Sequence, residues 1–109
     1  MVRPLTSTTI KGALWYQGEA NAGDPAGYAC RFPAMIADWR ALFADADIFW
    51  VVQQLHAWAV PESYRDALAV FREAQLKALA LPGTAVSTAF DGGDPQLATQ
   101  RPIGGALEH

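Results

Sequence analysis

The hydrophobic period of this 109-residue chain switches repeatedly between strand-like and helix-like, and that alternation constrains the fold more than any other feature. Residues 10–16 are apolar and aromatic, follow Thr8 and Thr9, and read as a buried strand. Asp24-Pro25 is a helix start: a carboxylate to accept a free first-turn N–H, then a proline whose fixed φ suits the first helical position. Beyond it Tyr28, Phe32, Met35, Ile36, Trp39, Leu42 and Phe43 recur at three- and four-residue steps, one apolar stripe along a helix. Pro33 falls inside that stripe, and its missing N–H predicts a kink or a later start. Residues 48–55, β-branched and aromatic, predict a second strand.

Pro61 opens a second helix reaching about Ala80, with Leu68, Phe71, Leu76 and Leu79 on its apolar side. Arg65, Arg72, Glu73 and Lys77 supply the solvated side, and Pro82-Gly83 stops the helix. Residues 84–90 read as a third strand, ending in the loop Asp91-Gly92-Gly93-Asp94-Pro95. Strand, helix, strand, helix, strand is the order of a parallel sheet with right-handed crossovers, so the class is α/β. No repeat, low-complexity run or Pro/Gly/Ser-rich linker divides the chain, and residues 1–109 read as one unit.

Apolar residues make up 51% and charged residues 17% of the chain, which excludes disorder as its main state. The same surplus predicts elements buried on both faces, or surfaces that something else covers. A net charge of −3 with scattered Lys and Arg gives no basic stripe, so no nucleic-acid partner is expected. No apolar run reaches the roughly 18 residues of a membrane span, so no membrane is expected as a partner. The opening Met-Val-Arg-Pro-Leu-Thr lacks the apolar core of a signal peptide, and the compartment stays open. Cys30 is the single cysteine, so neither an internal disulfide nor a zinc ribbon is available. Asp91 and Asp94 flank a Gly-Gly turn and supply too few oxygen ligands for calcium; neither metal nor cofactor is expected. The closing Leu107-Glu108-His109 reads equally as native or as the stub of a tag.

In an open parallel sheet, ligands bind outside the carboxyl ends of the strands. Gln17-Gly18-Glu19-Ala20-Asn21, Gln54-Leu55-His56-Ala57-Trp58 and the Asp91–Asp94 loop fall at those ends, and polar groups gather in all three. Trp15, Trp39 and Trp50 lie in elements and read as core, while Trp58, in a loop beside His56, is the candidate platform for a sugar ring. His56 reads as a pocket-lining or structural imidazole ahead of a catalytic one. A nucleotide-binding reading fares badly, because the loop after the first strand is not a glycine-rich phosphate cradle.

The stretch from Ile10 through Lys11-Gly12-Ala13-Leu14-Trp15-Tyr16-Gln17-Gly18-Glu19-Ala20-Asn21 resembles the sialate O-acetylesterase family. The likeness continues, in the family's order, through Tyr28, the run Phe32-Pro33-Ala34-Met35-Ile36-Ala37-Asp38-Trp39-Arg40, Val52-Gln53-Gln54-Leu55, Arg72-Glu73-Ala74-Gln75 and Asp91-Gly92-Gly93-Asp94-Pro95. The resemblance implies a three-layer SGNH-type (flavodoxin-like) α/β hydrolase that removes acetyl groups from sialic acids or related sugars by Ser/His/Asp chemistry, without a cofactor. It implies that Gln17 helps form the oxyanion hole, that Gly18 lets the backbone pass closely, and that Glu19 and Asn21 brace the loop.

The same resemblance shows what is missing. The family's nucleophile lies in an upstream Gly-Gln-Ser-Asn type block that this chain does not contain, and Ser7, Ser63 and Ser87 have no matching context. The positions expected for the Asp-x-His pair hold Leu97 and Thr99, which can neither orient nor act as a general base. Likeness lapses after Pro95 and returns at Pro102-Ile103-Gly104, the pattern a local frameshift leaves. The chain therefore reads as part of a larger esterase domain, without a nucleophile and inactive alone, whose exposed apolar surface favours self-association. The alternative is a carbohydrate-binding or interaction module that kept the scaffold and lost the catalytic pair.

Overall fold

The computed structural model describes residues 2–57 and 59–92. Three parallel strands, β1 (Gly12–Trp15), β2 (Phe49–Gln53) and β3 (Thr84–Ser87), form a sheet in the order β1-β2-β3. Helix α1 (Pro25–Leu42) connects the first two and α2 (Glu62–Gln75) the last two. Consecutive strands laid side by side with crossovers of one hand place both helices on one face. In keeping with this, α1 and α2 pack on each other over the sheet. The βαβαβ order and the parallel pairing are those expected from the alternating periods. The described residues supply the sheet and one helical layer.

The core lies between that layer and one face of the sheet. Trp50 and Val52 of β2 are fully buried against Ile36 of α1 and Phe71 of α2, with Phe32 and Tyr28 beside them. Trp15 stacks on Phe32 at 5.9 Å between ring centroids and meets Trp50 at 6.0 Å, while Trp39 meets Trp50 edge-on at 5.4 Å. All three tryptophans of the elements are thus core, as their positions imply. Among the described residues nothing covers the opposite sheet face: Leu14 is 86% exposed and Phe49 47%. The two alternate along their strands with Ala13, Trp15 and Trp50 of the packed face.

Helix α1 begins where its sequence predicts. The Asp24 carboxylate accepts the Gly27 N–H at 3.0 Å and Pro25 takes the first helical position. The side-chain hydrogen bond from Arg31, the largest influence, holds the Asp24 carboxyl below its ordinary range. Pro33 does not delay the start; the helix runs from Pro25 through it to Leu42, although Pro33 has no N–H to donate. The carboxyl end is closed by a Schellman arrangement, with Asp45 N–H on Arg40 O at 3.0 Å and Ala44 N–H on Ala41 O at 3.1 Å. Ala44 takes a positive φ of 51° to make it. Arg40, nearly buried, ties the amino-terminal edge of the sheet together. Its guanidinium donates to Ile48 O at 2.9 Å, Pro82 O at 2.8 Å and Gly83 O at 3.2 Å.

The second helix departs from expectation near its end. It tightens into a 3₁₀ stretch over residues Leu76–Ala80, whose larger turn per residue rotates the side chains away from an α-helical count. Leu79 is consequently 51% exposed, and Ala74, Gln75 and Ala78 occupy the buried face instead. Arg72, expected on the solvated side, is half-buried and donates from Nε and Nη2 to backbone carbonyls past β2. Residues 10–16 are not buried throughout either: Tyr16 is half-exposed past the end of β1. Among the described residues no helix is long and apolar enough to cross a membrane, and no three His, Cys, Asp or Glu residues gather as a metal site.

Candidate active site

Beyond Trp15 the β1–β2 ladder ends, and the chain turns through Gln17-Gly18 into a short 3₁₀ turn, Glu19–Asn21. Gly18 makes that turn possible. Its φ is 146°, and a Cβ there would stand 2.6 Å from Cζ of the buried Phe71 ring and 3.4 Å from Leu55 Cδ1. Backbone therefore passes directly over the core, which only a residue without a side chain allows. Glu19 braces the turn, its carboxylate accepting the Gly18 N–H at 3.0 Å.

Gln17 is held from several sides. Its Nε2 donates to Asn21 Oδ1 at 2.6 Å, and its Oε1 and backbone carbonyl each lie 3.4 Å from the Tyr28 hydroxyl that donates to them. Tyr28 in turn accepts from Trp15 Nε1 at 3.2 Å. Burial raises the Tyr28 phenol above its usual value, with the Trp15 hydrogen bond opposing, so the hydroxyl stays a neutral donor at neutral pH. A primary amide has two N–H donors, and the bond to Asn21 uses one. The second gives Gln17 the capacity to donate to a ligand oxygen.

Past β2, His56 is half-buried, with Nδ1 2.5 Å from the Tyr16 hydroxyl and the two rings stacked at 6.1 Å. Burial, with the Glu19 charge as a smaller contribution, raises the Tyr16 phenol. The pair joins the carboxyl ends of β1 and β2. Gln17, Gly18, Glu19, Asn21 and His56 are thus brought to one edge of the sheet. Trp58, Asp94 and positions 97 and 99 lie outside the described residues. Ser63 sits exposed in the first turn of α2 and Ser87 at the end of β3, apart from the Gln17 loop in the chain's topology. Beside the edge, between α2 and the segments after β2 and β3, lies a cleft of about 580 Å³. Ala57, Val60, Leu68 and Phe90 give it apolar walls, and Arg65 and Arg72 border it.

Three residues near this edge, Tyr28, Arg72 and Gln75, belong to the motifs of the resemblance but carry no site role in the sequence. Tyr28 reads as one more aromatic of a core stripe, and Arg72 as one more surface charge. Gln75 carried the clearest signal, a polar residue four positions after Phe71 and seven after Leu68, where helical spacing demands an apolar one.

Comparison with known proteins decides the family. The family model described as carbohydrate esterase, sialic acid-specific acetylesterase matches residues 1–98. The chain belongs to this esterase family. Sialate O-acetylesterase of Rattus norvegicus is 54% identical over 44 residues, 39% of this chain and 8% of that protein. The Homo sapiens sialate O-acetylesterase is 50% identical over the same share of each. A crystal structure of XAC1771, described as a novel carbohydrate acetylesterase from Xanthomonas citri, superposes with a TM-score of 0.78 at 38% identity. That match covers 84% of this esterase-family chain and 22% of the solved one. The chain thus spans a small part of the length of the relatives it matches.

Proposed function

We propose that this chain is the oxyanion-bearing part of a sialate O-acetylesterase-type domain that removes acetyl groups from sialic acids or related sugars. The observation that carries the reading is the held Gln17 amide at the carboxyl edge of the sheet. Ester hydrolysis passes through a tetrahedral intermediate whose carbonyl oxygen becomes negative. A fixed N–H donor aimed at that oxygen contributes about 3–4 kcal/mol to such a transition state. Gln17 is the donor, Asn21 and Tyr28 hold its amide, Gly18 admits the close turn, and Glu19 braces the loop. Serine attack, acyl-enzyme formation and histidine-assisted entry of water require groups from outside this chain, so its own turnover is expected to be negligible. The cleft beside Arg72 has the size of a small-molecule site and is the place for the sugar.

Titration of the 109-residue chain with O-acetylated sialic acid, and with its deacetylated form, tests this. The Gln17 side-chain amide signals are expected to move with the acetylated sugar alone, and Gln17→Ala to remove the preference. Equal response to both sugars would sink the assignment. Turnover of p-nitrophenyl acetate that a single substitution in this chain abolishes would overturn the absence of a nucleophile.

A further inference from the structure

The run Arg72-Glu73-Ala74-Gln75 closes α2; Arg72 borders the cleft, but the chemistry above gives the polar heads of the run no task. Two of them, those of Arg72 and Gln75, nevertheless reach the segments that follow all three strands. Gln75, with no exposed surface, accepts the Leu55 N–H on Oε1 at 3.1 Å and donates from Nε2 to the Gln17 carbonyl at 3.3 Å. Arg72 donates from Nε to Leu55 O at 2.7 Å and from Nη2 to His56 O at 2.9 Å. Its guanidinium stands 4.9 Å from the ring centroid of Phe90, just past β3. In return the Gln54 side chain donates to the Arg72 carbonyl at 3.0 Å.

The position of these bonds matters more than their number. The β1–β2 register ends at the pair Trp15↔Val52, so Gln17 and Leu55 lie where the sheet no longer links the strands. The Gln75 amide takes the place of the next rung, accepting from one strand extension and donating to the other. A buried amide is unfavourable unless both its ends are paired, and here both are. Arg72 then fixes the following two carbonyls with a planar fork that a lysine ammonium does not reproduce.

We infer that Arg72 and Gln75 are positioning residues, forming a side-chain rung that sets the spacing of Gln17, the Leu55-His56 turn and Phe90 beyond the end of the sheet. The inference rests on the reading of Gln17 as the oxyanion donor. Neither residue acts on substrate itself; each acts through the backbone it holds.

Amide spectra of the 109-residue chain carrying Gln75→Met, Gln75→Glu or Arg72→Met test the rung. Gln75→Met, similar in volume but unable to bridge, is expected to displace both Gln17 side-chain amide signals and to speed Leu55 amide exchange about tenfold. In Gln75→Glu the neutral acid offers a carbonyl and an O–H to the same partners. Burial raises that carboxyl, so the Gln17 signals should match wild type near about pH 5 and depart from it near about pH 8. A space-filling role would produce no such pH-dependent rescue. Arg72→Met, at a half-buried position, is expected to shift the Leu55 and His56 carbonyl signals and, through them, Gln17. Should Gln75→Met not fold, Gln75→Glu and Arg72→Met decide by the same signals. Gln17 signals unmoved in the folded variants would overturn the inference, whatever happens to the melting temperature. If instead Gln17→Ala leaves the preference for the acetylated sugar intact, the donor reading fails and the rung does not.

Discussion

Gly18 shows how one residue can tie the site to the core. Its backbone has a φ of 146° and lies against the fully buried Phe71, so an added methyl meets both backbone strain and a ring with nowhere to go. Gly18→Ala is expected to destabilise the chain by about 2–4 kcal/mol, from overpacking and strain together. Thermal melting checks this, and trimming the ring with Phe71→Leu should recover part of the loss in the double variant. An unchanged melting temperature in Gly18→Ala would mean that the loop is free to move off Phe71. The Gln-Gly-Glu sequence makes the glycine conspicuous, but nothing local names its neighbour: Phe71 is distant in the chain and arrives only when α2 packs. Gln17 is similar. Its amide chemistry is evident from its type, whereas of the partners that hold it, Asn21, Tyr28 and Gln75, the farthest lies 58 residues along the chain.

At the scale of elements, helix starts were more legible than helix ends. The start of α1 is written in Asp24-Pro25, a cap and a first-turn proline acting within three residues. Its end is not written, because the Schellman turn puts alanine where glycine is the usual signal. Ala44 bears a positive φ that its Cβ disfavours, so Ala44→Gly should stabilise the chain by about 1 kcal/mol. Chemical denaturation gives the comparison, and a lower midpoint for the glycine variant would contradict it. The exposure of Leu79 has the same kind of origin. A shift from α to 3₁₀ geometry over a few residues changes which side chains point inward, and no periodicity count that assumes one geometry detects it. The positions of Arg72 and Gln75 are hidden for a related reason: a charged residue in a helix reads as solvated by type and a glutamine there bears no mark of its partner, yet both find backbone partners at the end of β2.

For the whole molecule, the open sheet face is the dominant feature. Leu14 and Phe49 are exposed on it, and parallel sheets ordinarily have both faces covered. Apolar surface of this sort draws molecules together. Sedimentation at rising concentration is expected to show self-association of the 109-residue chain, and Leu14→Lys, on the open face and away from the Gln17 loop, to reduce it. A monomer at every concentration would contradict this. The apolar surplus of the composition has a concrete location here: part fills the core around Trp50, and part lies uncovered on the far side of the same strands.

The sequence by itself determined the α/β class, the order of elements, the start of α1, the tryptophan core and the family, because each of these depends on short-range pattern or on motifs in order. Hydrophobic period, caps and breakers act over a few residues and can be read along the chain. Tertiary structure alone decided that both helices lie on one face, with Leu14 and Phe49 exposed on the other. It also decided that Gly18 rests on Phe71 and that the end of α2 supplies a rung between β1 and β2. These depend on contacts between segments far apart in sequence, where a glutamine in a helix carries no mark of the carbonyl it will meet until the chain has packed.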